Sequence, residues 1–233
     1  MEDKILLFSG GIDSLSAWFY LGKPKAMYIN LKTKYSKKEM KCIKELQKLI
    51  PDLTVDIIND INFGQFEEKK NAYIPNRNLL LSIIASNYSN NIILAGIKDD
   101  VVEDKNPKAF KEMSKLLTLI SKQRNIKITS PFWDMSKIDI INWMKKNVDN
   151  YQKILETSVS CYSKGNKQCG NCPSCLRKAI AFENCGLDIN FFKSNIKKSP
   201  LVKIYKEKFS NKNNKYTKDR IDNSLEVFKK WEK

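Results

Sequence analysis

The chain has 233 residues, 42% of them hydrophobic, which suits one large domain or a main domain with an appendage. Lys and Arg number 42 against 26 acidic residues, a net +16, and histidine is absent; proton transfer therefore falls to carboxylates, Lys, Tyr, Cys or water, and metal binding to Cys or carboxylates. No apolar run approaches the roughly 20 residues of a membrane helix, and the opening residues run straight into "KILLF" without a signal-peptide pattern, so a cytoplasmic protein with no membrane contact is expected.

In chain order, Lys4–Phe8 reads as a strand, "SGGIDS" as a turn and Ser14–Leu21 as a helix. Strand Lys25–Asn30 leads to helix Ser36–Ile50, where Ser36 and Glu39 stand at capping-box spacing. Strand Leu53–Ile58 precedes helix Arg77–Tyr88, and strand Asn91–Ala95 precedes helix Pro107–Arg124. Strand Ile126–Thr129 precedes helix Ser136–Asn147, which opens on the looser start signal Ser136-Lys-Ile-Asp139. The strands are short, rich in Ile, Leu and Val, and lack clean alternation, the pattern of strands buried on both faces of a parallel sheet. The alternation predicts an open, mainly parallel, Rossmann-like α/β sheet with helices on both faces over residues 1–150 and ligands at the carboxyl ends of the strands.

After residue 150 the pattern changes. Four cysteines cluster between 161 and 175, a short helix follows through Arg177–Glu183, and Thr217–Trp231 carries Ile221, Leu225 and Phe228 at helical spacing. "SNKNNK", Ser210–Lys215, reads as a loop. The expected division is an α/β domain over 1–150, a cysteine-bearing helical module over 151–190 and a basic helical extension over 191–233. That extension holds 13 basic and 5 acidic residues, half of the net charge. It is a candidate for polyanion contact, a solvated Lys-rich surface being the alternative.

The turn after the first strand is neither a Walker A motif, because no Lys-Ser/Thr follows its last glycine, nor the dinucleotide G-x-G-x-x-G. Its physics still suits an anion. Gly10 and Gly11 lack a Cβ, the next helix offers unpaired N–H groups and a positive dipole end, and Ser9 and Ser14 add hydroxyls. Asp13 would repel bare phosphate, which suggests a place on Mg²⁺ or as a helix cap; an ordinary strand–helix turn is the alternative. "FSGGIDS" resembles the S-G-G-x-D-S signature of the N-type ATP pyrophosphatases, the PP-loop enzymes. The resemblance implies an adenine nucleotide alpha hydrolase-like fold and a loop gripping the pyrophosphate of ATP while the α-phosphate is attacked. The ATP contacts it implies run from Phe8 through Ser9, Gly10, Gly11, Ile12, Asp13 and Ser14 to Leu15, Ser16, Ala17 and Trp18.

Cys161, Cys169, Cys172 and Cys175 are spaced C-x7-C-x2-C-x2-C. Four thiolates form a closed tetrahedral set for structural Zn²⁺, and Gly170 fits a knuckle turn. An iron–sulfur cluster uses the same ligands, and disulfides are the remaining option. Lys164, Lys167, Arg177 and Lys178 lie close enough in sequence to offset the thiolate charge, while Cys42 and Cys185 read as plain thiols.

Both motifs together narrow the resemblance. Residues 156–177, "ETSVSCYSKGNKQCGNCPSCLR", with "YIPNRN" and "SPFWDMSK", are similar to the 7-cyano-7-deazaguanine synthase (QueC) family, in order from about residue 5 to 188. The resemblance implies a carbon–nitrogen ligase of queuosine biosynthesis that takes 7-carboxy-7-deazaguanine, ammonia and ATP with Mg²⁺. Adenylation, amide formation and a second activation then give the nitrile. It also implies structural zinc and a homodimer. Catalytic roles are expected for Asp13, for Arg77 as a clamp on phosphate or carboxylate (a surface ion pair being the alternative), and for Lys137 as a phosphate contact. Departures gather on the acceptor side. The family's Asp-Tyr-Gly-Gln is replaced after Asn30 by "LKTKY", and "IKDDVVEDKNPKAF" lacks the family arginine. Asp99, Asp100 and Asp104 are the candidates for the base's N–H edge, with Lys98 or Lys105 for its carboxylate. A different acceptor, in nucleic acid or protein, and a non-catalytic ATP-binding partner are the competing readings.

Overall fold

The computed structural model describes residues 3–68, 72–98, 100–122, 124–211 and 214–232. Its strands are β1 (Lys4–Leu7), β2 (Lys25–Ile29), β3 (Val55–Ile58), β4 (Asn91–Ile93) and β5 (Lys127–Thr129). They form one sheet in the order β3-β2-β1-β4-β5, and every pair is parallel. Successive side chains of β1 go to opposite faces, Leu6 and Phe8 into one core and Ile5 and Leu7 into the other. This is why the strand reads as an unbroken apolar run.

The first face is covered by α1 (Ile12–Tyr20), α2 (Ser36–Leu49) and α5 (Lys137–Asn147), through Leu15, Trp18, Ile43, Leu46, Ile141 and Met144. The second is covered by α3 (Arg77–Ser86) and α4 (Pro107–Ile120), through Ala85, Phe110, Met113 and Leu117. Each large apolar side chain so buried contributes roughly 1.5–3 kcal/mol. The chain steps outward one way from β1 to β2 and β3 and the other way from β4 to β5. The switch point lies between β1 and β4, where an open α/β sheet leaves a crevice.

Four more helices follow: α6 (Tyr151–Thr157), α7 (Pro173–Asn184), α8 (Pro200–Ser210) and α9 (Lys218–Trp231). They extend the first core, with Leu155, Phe182, Phe209 and Phe228 buried in it. The α9 face is the one that Ile221, Leu225 and Phe228 predict. Among the described residues no helix is long and apolar enough to cross a membrane.

Several expectations need correction. The strands are shorter than predicted: Leu53 and Ile126 are buried by packing outside the ladder, and Leu94, just past the end of β4, still donates its N–H to Thr129 O at 3.0 Å. Helices α6 and α8 fall inside the expected helical module and extension, where no range is predicted for them. The first is only seven residues long, and the second opens on Pro200 in its first turn, where proline is well tolerated. Likewise α7 opens at Pro173, four residues before the predicted Arg177. Ser210 closes α8 instead of opening the predicted loop, of which residues 212 and 213 lie outside the described residues. The predicted helix end at Arg124 is not reached; α4 stops at Ile120, and residue 123 lies outside the described residues. The start signal at Ser136 forms a full capping box, with Asp139 N donating to Ser136 Oγ at 3.2 Å and Ser136 N to Asp139 Oδ2 at 2.8 Å. The one expected at Ser36 does not form. The cap position there is Tyr35, Ser36 Oγ accepts from Thr33 N, and Glu39 turns inward to Tyr28.

Candidate functional site

The turn "SGGIDS" sits at the carboxyl end of β1, beside the switch point, and closes on itself. Ser14 Oγ accepts from Ser9 N at 3.2 Å and donates to Gly11 O at 3.2 Å, while Gly11 N points at Ser9 Oγ. Gly10 is left-handed at φ +74, and a Cβ there would meet Cys42 Sγ at 3.1 Å. The turn is braced from outside by Val159, whose N–H donates to Gly10 O at 2.9 Å. Gly11, and not Asp13, holds the cap position of α1. The Asp13 carboxylate instead pairs with Lys137 at the start of α5. Burial lowers the Lys137 pKa, against the pull of Asp13.

A cleft of about 220 Å³ opens over this turn, lined by Phe8, Ser9, Gly11, Ile12, Asp13 and Ser14 on one side and by Tyr28, Tyr35, Glu39, Arg77, Lys105 and Tyr162 around the rest. Gly10, Leu15, Ser16, Ala17 and Trp18 are not among its lining; all five are buried behind its surface. Arg77 reaches the cleft from the start of α3 and donates to Tyr35 Oη at 3.0 Å. Among the described residues it pairs with no carboxylate, so the surface ion pair weighed for it does not form. Tyr35 in turn packs against Tyr162, ring centroids 5.2 Å apart.

On the acceptor side, Asp99 lies outside the described residues. Asp100 is buried between Lys105 Nζ at 3.0 Å and Arg177 at 3.1 Å. Burial works to raise its pKa, but the two cations hold it well below the usual carboxylate range. Asp104 accepts from the backbone and side-chain nitrogens of Asn78, at 3.1 and 2.8 Å, and so fastens the first turn of α3. Lys98 pairs with Asp219 of α9, which brings the extension up to this loop.

The four sulfurs of Cys161, Cys169, Cys172 and Cys175 lie within 4.8 Å of one another. Backbone amides point at sulfur as a knuckle requires: Cys169 N to Cys161 Sγ and Asn171 N to Cys169 Sγ, both 3.3 Å. Gly170 is left-handed, and a Cβ there would lie 2.4 Å from Ser194 O. The set is compatible with zinc. The expected counter-charges are displaced, however. Lys164 and Lys167 are exposed, Arg177 serves Asp100, and Lys178 donates to Leu155 O and Ser158 O. Among the described residues the cation in contact with sulfur is Lys38 of α2, buried, 3.1 Å from Cys161 Sγ and 2.8 Å from Ser163 O, while Lys178 feels Cys175 only electrostatically. Cys42 and Cys185 are buried thiols whose pKa burial raises to about 12 and about 11.

A family model described as "Queuosine biosynthesis protein QueC" matches residues 53–186, more than half of the chain. The chain belongs to the QueC family. Its 7-cyano-7-deazaguanine synthase relatives include one from Archaeoglobus fulgidus, 28% identical over 231 residues, covering 87% of this chain and 95% of that protein. Another, from Methanobrevibacter smithii, is 29% identical over 140 residues, 58% of this chain and 60% of that protein; the match thus spans about three fifths of that relative's length. Among solved structures, a predicted subunit of tRNA methyltransferase from Methanocaldococcus jannaschii aligns over 84% of this chain and 93% of that one, at 14% identity and a TM-score of 0.44. The QueC match takes in Arg77, Lys137 and all four cysteines, while the glycine turn and the 191–233 extension lie outside it.

Sequence reasoning passed over Tyr28, Glu39, Tyr35 and Tyr162 in this QueC-family cleft, and Lys38 beside the cysteines. Tyr28 sits in a strand, Tyr35, Lys38 and Glu39 at the start of α2 and Tyr162 in the segment between α6 and α7, so no short motif joins them. The one available signal was Glu39 itself, a carboxylate on the apolar face of α2 four residues before Ile43.

Proposed function

We propose that the chain is an ATP-dependent carbon–nitrogen ligase that adenylates the carboxylate of 7-carboxy-7-deazaguanine and converts it with ammonia to the amide and then the nitrile. The observation that carries this reading is the placement of the S-G-G-I-D-S turn: it forms the floor of the cleft at the switch point, with Arg77 and Lys105 on the facing walls. The names of the relatives support the product.

A carboxylate on an electron-rich pyrrole is a poor electrophile, so the task is to turn its oxygen into a leaving group. The amides of Gly10 and Gly11 and the hydroxyls of Ser9 and Ser14 would take up the charge developing on pyrophosphate, helped by the dipole at the start of α1. Lys137 is held at this spot by Asp13 and would add a cation to the phosphates. Asp13 is also the residue that would hold Mg²⁺, which supplies charge neutralisation on ATP when bound. Arg77, poised on Tyr35 with no carboxylate in ion-pair contact among the described residues, is suited to clamp the α-phosphate or the acid being activated. Lys105 and Asp100 form an acceptor-side pair in place of the family arginine. The four-cysteine cluster would hold a structural zinc that braces the 158–162 segment against the turn.

Mass spectrometry of products from ATP, ammonium and 7-carboxy-7-deazaguanine tests the proposal. The amide and nitrile should appear with AMP and pyrophosphate. Pyrophosphate release only with another carboxylate or a macromolecule would refute the substrate, and ADP with phosphate would refute the adenylation.

A further inference from the structure

Among the described residues two carboxylates line the cleft, Asp13 and Glu39, and their surroundings differ. Asp13 is held by Lys137. Among the described residues Glu39 has no cation within ion-pair distance, Arg77 acting on it only from further off. Its Oε2 accepts from Tyr28 Oη at 2.8 Å, and Oε1 has no hydrogen-bond partner among the described residues. Glu39 is enclosed by protein yet open to the cleft, and it stands beside the glycine turn: Cys42, one turn further along the same face of α2, directs its thiol at Gly10 O at 3.5 Å. A carboxylate already paired with a cation is a weak base, and an unpaired one in a low-dielectric wall attracts a small cation. With no histidine in the chain, ammonium must lose its proton to another group before it can attack.

We infer that Glu39 binds ammonium in the cleft and accepts its proton, delivering ammonia to the activated carboxylate; this rests on the adenylating-ligase reading. The Glu39 carboxylate takes one proton from ammonium. The freed nitrogen lone pair forms the C–N bond, the bond from carbon to the AMP oxygen breaks, and AMP leaves with that electron pair. The second proton shed by nitrogen passes to the departing phosphate. The groups facing Glu39 are Tyr28 from β2, Tyr35 and Cys42 from α2, Arg77 from α3 and, beyond Tyr35, Tyr162. Burial raises its carboxyl to about 7, against the donated Tyr28 hydrogen bond and Arg77, so both protonation states are accessible near neutrality. The other groups facing it do not supply a base there: burial raises the Tyr35 and Cys42 pKa values to about 12.

The test separates the two half-reactions in the full chain. Substrate-dependent ATP–pyrophosphate exchange reads adenylation, and amide formation from ammonium chloride across neutral to alkaline pH reads the nitrogen step. Glu39→Gln, matched in shape, should keep exchange within about threefold while amide formation falls roughly 10²–10⁴-fold near neutrality. The loss should shrink at alkaline pH, where ammonia is already free, and Glu39→Asp should restore part of the neutral rate. Amide formation in E39Q equal to that of the unaltered chain at every pH would overturn the inference. So would exchange lost in step with amide formation, which would assign Glu39 to ATP or to the fold; a melting curve of E39Q separates those two. Absence of exchange in the unaltered chain would instead overturn the ligase reading and this inference with it.

Discussion

Lys178 is fully buried, and its ammonium donates to Ser158 O at 2.6 Å and Leu155 O at 2.9 Å, with weaker bonds to Glu156 O and Ser158 Oγ. It also lies over the rings of Phe182 and Phe191, at 5.1 and 4.9 Å. These carbonyls end α6, and the next residue is Val159, whose N–H braces Gly10. Lys178→Met keeps the apolar stem and removes the donor. Leu155 O keeps Ser158 Oγ at 2.6 Å and Ser158 O keeps Gln168 Nε2 at 3.1 Å, so the variant loses two lysine hydrogen bonds worth about 0.5–1.5 kcal/mol each, about 1–3 kcal/mol in all. The pH dependence is distinctive. Burial pulls the Lys178 pKa from 10.5 down to about 7, so between these values the unfolded chain holds a proton that the native lysine does not. Native stability from this group is then fully present at high pH and falls as pH drops toward 7, by up to about 1.4 kcal/mol per pH unit. The methionine variant lacks this slope, so its deficit should widen as pH rises. Urea unfolding followed by tryptophan fluorescence at two or three pH values measures both effects. A variant as stable as the unaltered chain, or parallel pH slopes for the two, would refute the reasoning.

Asp13→Asn and Ser14→Ala should each lower ATP turnover, because one loses the ion pair with Lys137 and the other a hydroxyl that closes the turn; steady-state pyrophosphate release checks this. The purified protein should carry about one zinc per chain by elemental analysis, and Cys172→Ser should lower thermal stability more than any single kinetic step, since a structural site contributes directly to folding. Gly170→Ala should destabilise the cysteine module by about 2 kcal/mol or more in thermal or urea unfolding, since its Cβ would lie 2.4 Å from Ser194 O and its φ is +70.

What was legible in the chain itself is local. A turn with two glycines between serines is legible because its chemistry lies within six residues, and a cysteine set because a knuckle needs fixed spacing and a small residue. The alternation of strand and helix is legible because burial on both faces of a parallel sheet leaves continuous apolar runs, as in "KILLF". The capping box of α5 forms between residues three apart, and the backbone alone brings them together.

The rest depends on which distant segments meet. Ser36 and Glu39 have the same spacing as Ser136 and Asp139, yet Glu39 leaves the helix start because β2 offers it Tyr28 Oη in the cleft. Nothing near residue 161 in the sequence identifies Lys38 as the cation on its sulfur; α2 brings that lysine across 123 positions. Arg177 and Lys178 are neighbours that look like counter-ions for the cysteines, but helix geometry points one at Asp100 and the other at the end of α6. The sequence by itself determined the glycine turn, the four-cysteine set and the sheet that presents them, because each is written in contacts between near neighbours. Only the tertiary structure decided which carboxylates are held by cations and which one is left open to the cleft, because a charge buried away from water takes its partner from whatever the fold packs beside it.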